Sequence, residues 1–266
     1  MERHEDGLER NSRLSTALLP VMHGAVADYR VDPNEQVYLG PTGWMFYRPS
    51  IEHITGPGFL DAEVMHLRSM ADSVEPDPVK AIVEFRDQLA ARGAELLVVA
   101  VPTKAMIYPE KFAGDEFMAS TRLQNASSGQ FMEILKEHKV HVVDLVPDLI
   151  EAKTASHEPL YLGTDTHWSI EGMRIAAGSI GQYIEAHELV RVETPTKYLV
   201  KDLQQVRGRG DLELLLDQRG GTRILTDLRI RERIMLPLIV AEQRLFTPQG
   251  FSWWADPAAE VLLLGD

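Results

Sequence analysis

The chain has 266 residues, 44% of them hydrophobic and 25% charged, and a formal net charge of −13. That length buries a sizeable core, as one large domain or one domain with appendages, and the ordinary composition excludes global disorder. The acidic sum disfavours phosphate backbones and anionic lipid headgroups, so no nucleic acid partner is expected. The absence of cysteine excludes disulfides and thiolate metal sites without deciding the compartment.

MERHEDGLERN places charge where an export signal needs an apolar run, and LSTALLPVMHGAVA (14–27) is too short and too interrupted to span a bilayer. The residues alone therefore suggest either a cytoplasmic chain or a natural product that begins further upstream. Residues 1–34 read as a loosely attached arm, and 35–266 as the folded domain.

QVYLGPTGWMFYRP (36–49) reads as two short strands around a Pro-Thr-Gly turn, and a helix is expected from about Asp61 to Ala71. Asp77 and Pro78 then supply an N-cap and a favoured first helical residue. Val79, Ile82, Val83 and Leu89 form one apolar face, and Gly93 the stop. AELLVVAVP (94–102) is a continuous β-branched apolar run, the pattern of a strand covered on both faces. A second helix near 123–138 leads to another such strand, VHVVDL (140–145). Helix, strand, helix, strand at this spacing predicts parallel strands and an α/β fold. Ser169 can cap a helix in which Met173, Ala176, Ala177, Ile180 and Ile184 share a face. Residues 188–259 are harder to parse: TRILTDLRI and the segment before TPQGFSWWADP read as strands or as part of a cap. AEVLLLGD ends the chain with a short apolar run, Val261 to Leu264, read as a strand.

Ligands of open parallel sheets collect beyond the carboxyl ends of the strands, here Pro102-Thr103-Lys104, Asp144 and Gly265-Asp266. Within LYLGTDTHWSIEGMRIAA (160–177), Asp165 and His167 stand two residues apart before the helix. In an extended backbone their side chains share one side, so the carboxylate can hold one imidazole nitrogen and leave the other to take a proton. Trp168 could wall the site. The bland alternative is a turn acid beside a satisfied histidine. A metal site from His157, Asp165 and His167 is a third option, and no metal or other cofactor is expected.

These blocks resemble one family. VYLGPTGWMFYRP, FLD, VVAVPTKAMIYPEKF, VHVVDL, LYLGTDTHW, RGRGDL and VLLLGD follow the order of the SGNH hydrolase-like domain of alginate O-acetyltransferases of the AlgX and AlgJ type. TDTHW is the strongest element. The resemblance implies a three-layer α/β/α fold with a mainly parallel central sheet over 35–266. It makes Asp165 the orienting acid and His167 the general base of a Ser-His-Asp acyl-enzyme mechanism that acetylates an exopolysaccharide. The family's serine would follow Gly265-Asp266, the nucleophile and oxyanion turn, and the 266 residues stop before it. The expectation is a truncated domain, inactive as it stands. The resemblance further implies a periplasmic or inner-membrane-anchored location and a membrane-bound O-acyltransferase as acetyl-donor partner. Alternatives are a carbohydrate esterase using water as acceptor and a non-catalytic polysaccharide-binding scaffold.

Lys104 is a candidate for contacting substrate or supporting the site. Arg207, Arg209 and Asp211 in VRGRGDL could form a polar loop beside the site, with Arg207 and Arg209 as candidates for binding a polyanionic acceptor, although the stretch also reads as a flexible solvated loop. Trp44, Tyr47, Trp253 and Trp254 could stack on sugar rings, the first two also reading as core or hairpin residues.

Overall fold

The computed structural model describes residues 36–40, 43–71, 75–114, 123–155, 158–190, 198–216, 238–252, 254 and 259–264. The arm 1–34, His157, Trp253, TRILTDLRI and Gly265-Asp266 lie outside the described residues.

β1 (Val37–Leu39) and β2 (Met45–Tyr47) pair antiparallel, Val37 facing Tyr47 and Leu39 facing Met45. Gly43 sits at the hairpin with φ of 80°, a left-handed value that glycine adopts without a Cβ penalty. α1 (Arg48–Thr55) follows with Pro49 in its first turn and buries Ile51 and Ile54; α2 (Ala62–Ser69) comes next. α3 (Pro78–Ala90) starts as its sequence dictates. The Asp77 Oδ1 accepts the amides of Val79 at 2.9 Å and Lys80 at 3.4 Å, a cap of about 1 kcal/mol.

β3 (Leu97–Ala100) and β4 (His141–Asp144) form a parallel pair, Leu97 beside His141 and Ala100 beside Asp144. Between them run α4 (Lys104–Ile107), α5 (Pro109–Ala113) and α6 (Ser128–Glu137). The strands feed two cores by alternation. Leu97, Val99 and Val143 pack in the main cluster, with Leu145, Leu149, Leu160 and Ala176. Val98, Val140 and Val142 pack on the other face, with Val79 and Leu135. Helices α3 and α6 thus cover one face, and α7 (Val146–Ala155) and α8 (Ile170–Ala186) the other.

Three expectations change. Parallel pairing among the described residues is confined to β3 and β4, because β5 (Leu199–Gly208) pairs antiparallel with β6 (Leu238–Phe246), as β1 does with β2. Val261–Leu264 is not a buried strand: its side chains are 54, 80, 84 and 69% exposed and its backbone joins no sheet. On α8, Ala176 and Gly172 are buried, with Ile175, Ile180 and Tyr183 against the core, whereas Met173 is 47% exposed and Ala177 also faces solvent. Gly172 explains the rotation. A Cβ there would overlap the Leu160 carbonyl oxygen, so only glycine lets this line of the helix press inward.

Candidate active site

The segment 160–169 folds back on itself just beyond the carboxyl end of β3. Tyr161 and Trp168 bridge antiparallel, Leu162 N donates to His167 O at 3.1 Å, and Ser169 N donates to Leu160 O at 2.8 Å. Its base is rooted in the core. Leu160 and Tyr161 are buried, the Leu160 amide donates to the Tyr108 hydroxyl at 2.8 Å, and the Tyr161 hydroxyl donates to the Pro102 carbonyl. The Met45 amide donates to Gly163 O at 2.8 Å, tying the loop to β2. Ser169 ends the turn by capping α8, its Oγ accepting the Gly172 amide at 3.2 Å.

Inside this frame Asp165 and His167 meet, but not by extended geometry. Residues 165–167 bend, and the Asp165 Oδ1 accepts the His167 backbone amide at 3.0 Å while touching the His167 Nδ1 at 2.6 Å. A short acidic side chain that accepts the amide two residues on is an Asx turn, a tighter way to bring i and i+2 together than a strand. The other oxygen, Oδ2, accepts the Asp211 amide at 2.8 Å. Burial pushes the Asp165 carboxyl up, but the amides of His167 and Asp211 and the imidazole outweigh it, leaving the acid below its ordinary range. Because an ionised carboxylate only accepts, the bonded Nδ1 is assigned the proton and Nε2 keeps its lone pair. The His167 side chain is 67% exposed against 12% for Asp165, so the acid is fixed and the base is reachable.

Asp211, which the sequence offered only as part of a polar loop beside the site, is a direct partner of the pair. It opens α9 (Asp211–Leu216); its Oδ1 accepts the Thr166 amide at 2.8 Å, its Oδ2 accepts the Thr166 hydroxyl, and the same oxygen lies 3.7 Å from His167 Nδ1. The only signal in the sequence is an acid after glycine at a helix start. RGRGDL is therefore not simply a solvated loop. Gly210 is buried, and a Cβ on it would overlap the Thr164 carbonyl oxygen, so glycine there permits close approach rather than flexibility.

Lys104 is buried, at 5% exposure. Its Nζ donates to the carbonyls of Leu162 at 2.9 Å, Gly163 at 3.1 Å and Asp165 at 2.7 Å, so of its two expected roles the supporting one fits. A small cleft of about 50 Å³ beside it is lined by Phe46, Ile51, Thr103, Ala105 and Thr166. Trp168 is half-buried and packs on the main core. Trp44 is a core residue whose ring lies 4.9 Å from that of Tyr108, so it is not free to stack on a sugar. Trp254 is 81% exposed. Arg209 pairs with Glu213 at 2.9 Å near the start of α9, and the Arg207 backbone pairs with Ile239 in the β5–β6 ladder.

Asp165, His167 and Asp211 each place a ligand-type atom within 4.8 Å of the others. The atoms face hydrogen donors instead: both Asp165 oxygens and both Asp211 oxygens accept N–H or O–H groups. That is the environment of an oriented imidazole.

A parallel β-pair thus lies between helices, with an acid-steadied histidine beyond its carboxyl end, where open parallel sheets gather their ligands. Residues 37–248 match the family described as SGNH hydrolase-like domain, acetyltransferase AlgX, and the chain belongs to that family. The probable alginate O-acetylase AlgJ of Pseudomonas putida is 26% identical over 176 residues, 66% of this chain and 40% of that protein. Its Azotobacter vinelandii counterpart is 30% identical, covering 58% of this chain and 38% of that protein. The chain thus spans about two fifths of these relatives' length. The solved O-acetyltransferase domain of Pseudomonas putida AlgJ superposes with a TM-score of 0.53 at 23% identity, over 79% of this chain and 64% of that one. Pseudomonas aeruginosa AlgX does so with 0.54 at 16% identity, over 79% and 43%. No described helix is long and apolar enough to cross a membrane.

Proposed function

We propose that the protein is a polysaccharide O-acetyltransferase acting on an alginate-like polymer, with His167 as general base and Asp165 as the acid that orients it. The observation that carries this reading is the 2.6 Å Asp165–His167 contact, made through Nδ1 on a side chain that is 67% exposed. Membership of the AlgX family and the names of the AlgJ relatives supply the acetyl group and the alginate class.

The nucleophile is the serine that the family pattern places directly after the Gly265-Asp266 pair. Its oxygen attacks the acetyl carbonyl of the donor as Nε2 takes its proton; the carbonyl to leaving-group bond breaks and the proton passes to the departing oxygen. An acceptor hydroxyl then attacks the acetyl-serine, His167 again taking the proton and returning it to serine. Asp165 stabilises the imidazolium in both halves, and amides of the Gly265-Asp266 turn bind the oxyanion. A membrane-bound O-acyltransferase is the partner that supplies the acetyl group, and the reaction takes place on the periplasmic side of the inner membrane.

The exposure of His167 also suits water as acceptor, which would make the protein an esterase. One measurement separates the readings. In the strain that encodes the protein, His167→Ala should lower the acetyl content of the exported polysaccharide, since loss of a general base costs about 10²–10⁴-fold in rate. A rise in acetyl content would assign deacetylation, and an unchanged content would remove His167 from the chemistry.

A further inference from the structure

An ammonium group shielded from water inside a fold calls for acceptors, and the identity of those acceptors shows its task. Lys104 opens α4, four residues after Ala100 ends β3. Its three N–H donors match three carbonyls of one short segment, Leu162, Gly163 and Asp165, which is the segment that presents Asp165 and His167. The remaining surroundings are rings: Nζ lies 5.7 Å from the centroid of Trp44 and 5.2 Å from that of Phe46. No side-chain carboxylate is within salt-bridge distance of Nζ among the described residues, so the charge is spent on backbone dipoles. The third acceptor is the carbonyl of Asp165 itself. A displacement of that peptide moves the carboxylate which holds His167 Nδ1.

We infer that Lys104 is a positioning residue for the Asp165–His167 pair, a cationic clamp that fixes the loop 162–165 through three carbonyls. It acts through the loop and touches neither the imidazole nor any substrate. The inference deepens the proposed function and rests on that reading of the pair, but concerns its geometry alone.

The clamp needs the charged form, because a neutral amine has two N–H donors and a lone pair that would face a carbonyl. Burial lowers the Lys104 pKa to about 7, against the opposing fields of Asp165 and Asp211. The titratable groups turned toward it are Asp165, with His167 behind it, from the loop, and Asp211 from α9. β2 and the preceding turn contribute the uncharged Phe46 and Trp44. The clamp should therefore hold below about pH 7 and loosen above it.

Amide hydrogen exchange of the 266-residue chain reads the geometry without substrate. The reporters are the His167 and Asp211 amides, which donate to Asp165, with the Val143 amide of β4 as a control. At about pH 6, Lys104→Met should lower the protection of the two reporters by about tenfold or more and leave Val143 unchanged. In the unmodified protein the reporters should lose protection, corrected for intrinsic exchange, as the Lys104 side chain titrates. That step should be missing from Lys104→Met. Equal loss at Val143 would mean a general packing role and overturn the clamp. So would a step that survives in Lys104→Met, which would belong to His167, or reporters that stay flat while Lys104 titrates. Should Lys104→Met fail to fold, the titration of the unmodified protein decides. Absence of acetyl transfer would leave this result untouched, and failure of the clamp would leave the acetyl-content test standing.

Discussion

Asp165 ties the electrostatics of the site to the stability of the fold. Both its oxygens accept from fixed amides, and its carboxyl is held below the ordinary value of 3.8. Its folded pKa is depressed, so the stability it supplies is present above about pH 4 and is lost as pH falls through the lower folded value. Asp165→Asn should reduce unfolding free energy by about 1–3 kcal/mol at about pH 7, with the gap closing toward about pH 3. Urea midpoints at the two pH values check this, and a gap that stays constant would contradict it. The acid and the histidine were readable in the sequence because an i, i+2 contact is local. Asp211 was readable only as part of a polar loop, and its bond to Asp165 was not, since that amide reaches across 46 residues through a contact made by the fold. Lys104 was readable as a residue at a strand end. Its burial was not, because lysines are almost never fully buried.

At the scale of elements, the site depends on how closely α9 approaches the loop 160–169. Gly210 sets that distance by presenting bare backbone to the Thr164 carbonyl. Gly210→Ala should push the start of α9 away, cost about 1–3 kcal/mol by overpacking, and weaken the Asp211 amide bond to Asp165. Calorimetry and the Asp211 amide shift together test it; an unshifted melting temperature with an unmoved amide would show that the contact is slack. The strands 97–100 and 141–144 and their two-sided cover followed from apolar runs, because a strand alternating between two cores is apolar at every position. The face of α8 was misread at Met173 and Ala177. Periodicity counts apolar residues, whereas Gly172, which has no side chain to count, sets the rotation.

Across the whole molecule, the loop 160–169 is not an appendage but a continuation of the main core, which holds Leu160 at 0% exposure beside Leu149 and Ala176. Leu160→Ala should cost about 2–5 kcal/mol, and the His167 resonances should disappear in the same transition as tryptophan fluorescence. A separate, earlier loss of the His167 signals would show that the loop folds independently. The most direct measurement is a double-mutant cycle on the initial rate of polysaccharide acetylation in the encoding strain, comparing Asp165→Ala, His167→Ala and the combination. If the acid acts only by steadying the base, the double variant should be no slower than His167→Ala alone, within about threefold. Multiplicative losses would mean that the two residues act separately, and would contradict the dyad.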